Sequence, residues 1–127
     1  MVRMKDERPI NLDISTMKLP ITAWASISHR VSGILSIPIF ALFLWALQLS
    51  LESKDSFQTL KENFSVPLAK VLILFVLTVF VYHVLAGIKH LIMDLGYGET
   101  FEGGVIGAKI LFASTGLSFI LIGWWLW

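Results

Sequence analysis

The sequence contains no cysteine. It can form no disulfide, and its own thiolates can hold no iron–sulfur cluster. Charge is scarce too. Asp, Glu, Lys and Arg make up 15% of its 127 residues, against roughly 25% in an ordinary soluble domain. The charges are also clumped, with none from Val31 to Leu51, from Val71 to Ile88, or from Ile110 to Trp127. There is no glycine-rich phosphate loop, no catalytic triad and no nucleic-acid pattern. No catalytic residue and no nucleic-acid partner are therefore expected. The formal net charge of +1 says little about partners.

What remains is apolar. Hydrophobic residues make up 56% of the chain. A bilayer core of roughly 30 Å needs about 20 apolar helical residues, and all three uncharged runs qualify. Backbone groups in lipid must be satisfied internally, and three spans cannot close a barrel, so the spans are helices. The expected fold is all-α, an integral membrane chain of three spans. Residues 1–20 form an N-terminal segment and residues 21–127 the transmembrane part, with helices at about 21–51, 67–94 and 104–127. A polar loop is expected over 52–66 and a short loop over 95–103. Pro20 and Pro67 sit at helix starts, where a missing N–H costs nothing. Pro38 is expected to kink the first span. Gly96 is a natural residue just past a helix end. No cleavable signal peptide is expected, because residues 1–19 are polar and the first apolar run is too long for one. With no soluble domain left over, the chain is expected to work with other subunits.

Seven basic residues flank one side of the spans (Arg3, Lys5, Arg8, Lys18, Arg30, Lys89 and Lys109) and three the other (Lys54, Lys61 and Lys70). The positive-inside rule then places the N-terminus in the cytoplasm and the C-terminus outside. Trp124, Trp125 and Trp127 read as an interfacial aromatic belt on the outer side.

Two groups of residues carry possible chemistry. His83 lies within the second span, roughly 5 Å from the centre of its uncharged run. A neutral imidazole there can ligate haem iron or hydrogen-bond to a neighbouring helix. Ala86 and Gly87, one turn on, leave room for a flat ligand or for close approach of a helix. His90 shares the face of His83, about 10 Å along the axis, and cannot be the opposite axial ligand of the same metal, because one helix cannot reach both sides of a macrocycle. Lys89 and His90 are placed to meet anionic propionates, or Lys89 simply snorkels. In the first span, Thr22, Ser26, His29, Arg30 and Gly33 recur at steps of three and four on one face. A hydroxyl and a guanidinium one turn apart can donate to a quinone carbonyl. The other reading of Arg30 is an anchor at the end of a span.

RPINLD at 8–13, SISHRVSG at 26–33 and HVLAGIKHLIMDLG at 83–96 together resemble the cytochrome b556 subunits of bacterial succinate dehydrogenase. The likeness covers the N-terminal segment and the first two spans; the third adds only length and hydropathy. It implies a small anchor that packs with a second anchor subunit into a transmembrane helix bundle in the bacterial inner membrane. An iron–sulfur subunit and a flavoprotein subunit complete such a complex, which reduces ubiquinone. It also implies haem b held between the two anchors, with His83 as one axial ligand and the other from the partner. Ser26 and Arg30 would then line the quinone site. Arg30, His29 and His90 would lie on the propionate side. Two rivals stay open. One is a haem-bearing anchor of a fumarate reductase working with menaquinone. The other is a structural or transport subunit without haem, in which His83 bridges helices.

Overall fold

The computed structural model describes residues 16–127. RPINLD and the basic residues Arg3, Lys5 and Arg8 lie outside the described residues. The chain forms four helices, α1 (Ile21–Glu52), α2 (Lys54–Ser65), α3 (Pro67–Asp94) and α4 (Phe101–Leu126). Three of these, α1, α3 and α4, are long and apolar enough to cross a membrane. Their 32, 28 and 26 residues give lengths of about 48, 42 and 39 Å, each more than the roughly 30 Å of a hydrocarbon core. The chain is a multi-pass membrane protein. α1 continues through Pro38, whose ring is exposed.

The segment expected to be a polar loop over 52–66 is instead a 12-residue helix, α2. Its start is capped locally: Ser53 Oγ accepts from Ser56 N at 3.0 Å. Asp55 in the first turn suits the positive end of the helix dipole. Phe57, Leu60 and Phe64 recur at helical spacing and give it one apolar edge. Gln58 donates to Glu62 at 2.9 Å on the polar side. An amphipathic helix of this length, between two spans, has too many polar residues to announce itself by hydropathy.

The turn between α3 and α4 is built by two glycines. Gly96 N donates to Met93 O at 2.8 Å and Tyr97 N to Ile92 O at 3.2 Å. This paired closure needs a left-handed residue, and Gly96 has φ +88°. Gly98, at φ +75°, then folds back against the first turn of α4. α4 begins at Phe101, three residues before the sequence reading put it, because Thr100 Oγ1 accepts from Gly103 N at 3.1 Å. A Cβ on Gly103 would lie 2.8 Å from Gly98 Cα and 2.9 Å from Gly98 O. Backbone atoms cannot swing aside as a side-chain tip can. Gly103→Ala is therefore expected to destabilise the fold by about 1–3 kcal/mol. Thermal unfolding in detergent measures it, and an unchanged midpoint would show that the turn relaxes freely.

The three spans meet in a small core of Ala25 (α1), Tyr82 and Ala86 (α3), and Ala108 and Leu111 (α4). Small side chains let the backbones approach, the usual device where lipid removes the hydrophobic drive between helices. Tyr82 packs on Phe112 at 5.9 Å between ring centroids. Its hydroxyl donates to Ala25 O at 2.9 Å, so the buried phenol is satisfied. Outside this core the large apolar side chains of the spans are mostly exposed, as a surface facing lipid or other membrane helices must be. At the far end, Lys70 Nζ sits 5.6 Å from the centroid of a Trp127 ring, a cation–π contact between the start of α3 and the end of α4.

Candidate functional site

The core positions one polar cluster between α1 and α3. His29 from α1 stacks on His83 of α3, with centroids 4.6 Å apart and planes at 30°. His29 also stacks with His90, at 5.1 Å and 29°. Pairing His29 with His90 and Ser32 with His83 requires α1 and α3 to run antiparallel. The result is a cluster of three imidazoles near the end of the bundle that holds the start of α1 and the end of α3.

Close approach at His83 depends on its neighbours in α1. A Cβ on Gly33 would lie 3.1 Å from His83 Cε1, so the bare backbone of α1 forms one wall of the imidazole site. Ser32 Oγ lies 3.1 Å from His83 Nδ1. The same hydroxyl donates to His29 O at 2.8 Å. Ser36 Oγ donates in turn to Ser32 O at 2.8 Å. Ser32 is buried, at 5% exposure, the one buried polar residue among those described.

The polar stripe read along α1 divides among three surroundings. Thr22 turns to α4, where its Cγ2 is 3.6 Å from the Cβ position of Gly104. His29 and Gly33 face α3. Arg30, turned about 100° from His29 around the helix, is exposed, and Ser26 is half-buried. The two residues expected at a quinone thus stand beside the imidazole cluster, outside its stack.

The small pair expected to admit either a flat ligand or a closely packed helix divides between the two. Ala86 is 2% exposed and belongs to the three-helix core, so its side is filled. A Cβ on Gly87 would meet nothing within 4 Å, so space is open there. Lys89 turns away to α4. Its stem lies over Gly107, and its Nζ donates to Met93 Sδ at 3.1 Å. A separate hollow of about 480 Å³ opens between α3 and α4, and none of the three histidines lines it.

Ser32 is the residue that sequence reasoning passed over. It sits inside the SISHRVSG motif, but a stripe counted through His29 and Gly33 skips it. The available signal was a serine three residues after a histidine, a spacing at which a hydroxyl can bond back to the preceding turn.

Among the described residues, no three His, Asp or Glu side chains converge as a metal-binding set. A single imidazole, His83, is braced from a second helix with open space at Gly87 beside it. Those features fit a group ligated once by this chain and held otherwise by something outside it.

Fold and cluster together define a multi-span helical membrane subunit with an imidazole site between its first and second spans. A family profile described as the transmembrane subunit of succinate dehydrogenase/fumarate reductase matches residues 4–123. The chain belongs to that family. It is similar to the succinate dehydrogenase cytochrome b556 subunit of Coxiella burnetii, with 34% identity covering 98% of this chain and 100% of that one. The cytochrome b560 subunit of Reclinomonas americana is 33% identical over 97% of this chain and 88% of that one. The cytochrome b556 subunit of Paracoccus denitrificans is 26% identical over 87% of this chain and 85% of that one.

Proposed function

We propose that the chain is the haem b- and quinone-binding membrane anchor of a succinate dehydrogenase, passing electrons from an iron–sulfur subunit to ubiquinone. One observation carries the reading: His83 is an imidazole braced from α1 by Ser32, Gly33 and His29, with open space at Gly87 one turn on. His83 would hold the haem iron through an imidazole nitrogen, and a second small anchor would complete the hold. Haem b, when bound, contributes a one-electron store beside the quinone. Arg30 and Ser26 bind and orient the quinone by donating hydrogen bonds to its carbonyl oxygen. Those donors favour the oxygen as it gains negative charge during reduction. His29 and His90, with Arg30, line the propionate side. The absence of cysteine leaves the relay clusters to the iron–sulfur partner, which a flavoprotein supplies with electrons.

The cluster lies on the cytoplasmic side of the bacterial inner membrane, with the C-terminus periplasmic, a reading the charge bias supports. The soluble partners dock on the cytoplasmic face. The chain has no complete active site of its own, since the quinone pocket is shared with those partners.

The test is the dithionite-reduced absorbance spectrum of the complex purified through this chain. It should show b-type bands, and the complex should contain a flavoprotein, an iron–sulfur protein and a second small anchor. A complex without those bands would leave a haem-free structural or transport role. A complex that reduces fumarate from menaquinol faster than it oxidises succinate would favour the fumarate reductase reading. Within the quinone site, Ser26→Ala removes one neutral hydrogen bond, worth about 0.5–1.5 kcal/mol. The expected result is a fall in quinone kcat/KM of roughly 2–10-fold at unchanged haem content. Normal quinone kinetics would remove Ser26 from the site.

A further inference from the structure

We propose that Ser32 is the positioning residue of the haem site, fixing His83 in the tautomer that presents Nε2 as the ligand. This rests on the reading of His83 as an axial ligand, and it assigns a role to a residue that the reading itself does not use.

The argument is one of proton counting. A serine hydroxyl has one proton and two acceptor lone pairs. The Ser32 proton has a short acceptor in its own helix, His29 O at 2.8 Å. That leaves only lone pairs to face His83 Nδ1, 3.1 Å away. Two lone pairs in contact would repel, so the pairing is favourable only when Nδ1 carries a proton and donates it. In a neutral imidazole the other nitrogen, Nε2, then carries the free lone pair that a metal needs. The chain of bonds continues beyond Ser32, because Ser36 Oγ bonds Ser32 O at 2.8 Å.

Sterics support the same role. Ser32 is 5% exposed, so water does not compete for its lone pairs. Gly33 lets the imidazole rest against α1, where a Cβ would stand 3.1 Å from His83 Cε1. His29 covers one ring face at 4.6 Å. The ring is therefore held by a hydrogen bond, a backbone wall and a stacked neighbour, all from α1. A ligating histidine almost always donates its second N–H to an acceptor, which orients the ring and raises its basicity. Ser32 is that acceptor here.

The test uses the purified complex with the Ser32→Ala, Ser32→Thr and Ser32→Cys variants and His83→Ala as reference. Ser32→Ala is expected to weaken haem retention about 10–100-fold. Loss of the acceptor makes the imidazole a poorer donor to ferric iron, so the midpoint potential of the remaining haem should shift upward. Ser32→Thr keeps a hydroxyl and should restore both properties. Ser32→Cys nearly keeps the volume but weakens the acceptor. It should shift the potential the same way, and it serves as the readout if the alanine variant does not assemble. If His83→Ala loses its haem while Ser32→Ala and Ser32→Cys keep wild-type retention and potential, Ser32 has no positioning role. If His83→Ala keeps its haem unchanged, the ligand reading itself falls, and this inference with it.

Discussion

His83→Ala is expected to abolish the reduced b-type absorbance bands of the assembled complex. The expectation follows from how the ligand is supplied. Among the described residues no second side chain stands ready to replace the imidazole. His29 and His90 lie close, with His29 stacked on both His83 and His90. Both rings come from other positions on the helices, so neither nitrogen starts where that of His83 was. Loss of an outer-shell partner already weakens a metal site about 10–100-fold, and loss of the ligand itself should exceed that. Truncation also leaves a cavity lined by Gly33, Ser32 and His29, so some loss of stability accompanies it. Immunodetection of the complex in membranes, measured beside the spectrum, separates the two effects. Bands unchanged in amount and position would overturn the assignment.

Arg30→Ala should lower quinone reduction about 100-fold, the scale on which one donor to a developing oxyanion acts. Reduction of an artificial dye at the soluble subunits should stay intact. The fold gives this contrast its force. Arg30 is exposed on α1 and lies outside the three-helix core. Removing an exposed side chain leaves no cavity, and such changes usually move stability by less than about 0.5 kcal/mol. A fall confined to the quinone reaction therefore reports on the site. Equal loss of both reactions would point to failed assembly, and wild-type quinone turnover would remove Arg30 from the quinone. Lysine is a poor substitute at this position, because a guanidinium presents a planar fork of donors and an ammonium does not. Arg30→Lys should recover only part of the rate.

The site was legible in the sequence to the extent that its residues are expensive. An imidazole inside an uncharged run stands out because lipid penalises it, which brought His83 forward before any packing was known. The same logic brought Arg30 forward, and Ser26 entered only through its four-residue spacing from Arg30. Ser32 escaped because a serine inside a helix is cheap: it bonds back to its own turn and leaves no mark on hydropathy. Ala86 left two readings open, a flat ligand or a closely approaching helix, and it lies in the three-helix core, since helical phase places it on the His83 side without saying which other helix covers that side. Helix α2 escaped for a related reason. Its apolar edge is three residues long, and its cap at Ser53 is a local contact. Short amphipathic helices draw their stability from what they lie on, which a hydropathy reading does not contain.

The sequence by itself determined the three spans, because the bilayer fixes their length and forbids charge within them. It determined that this chain's own thiolates can hold no iron–sulfur cluster, since there is no cysteine. It also marked His83 as the deep imidazole. Only the tertiary structure decided that His29 stacks with both His83 and His90, and that Ser32 faces Nδ1 at 3.1 Å. The physical reason is that spacing along one helix sets which residues share a face, whereas the partner of that face depends on how closely two backbones approach. Here Gly33 and the small core residues set that distance, and with it the surroundings of the imidazole.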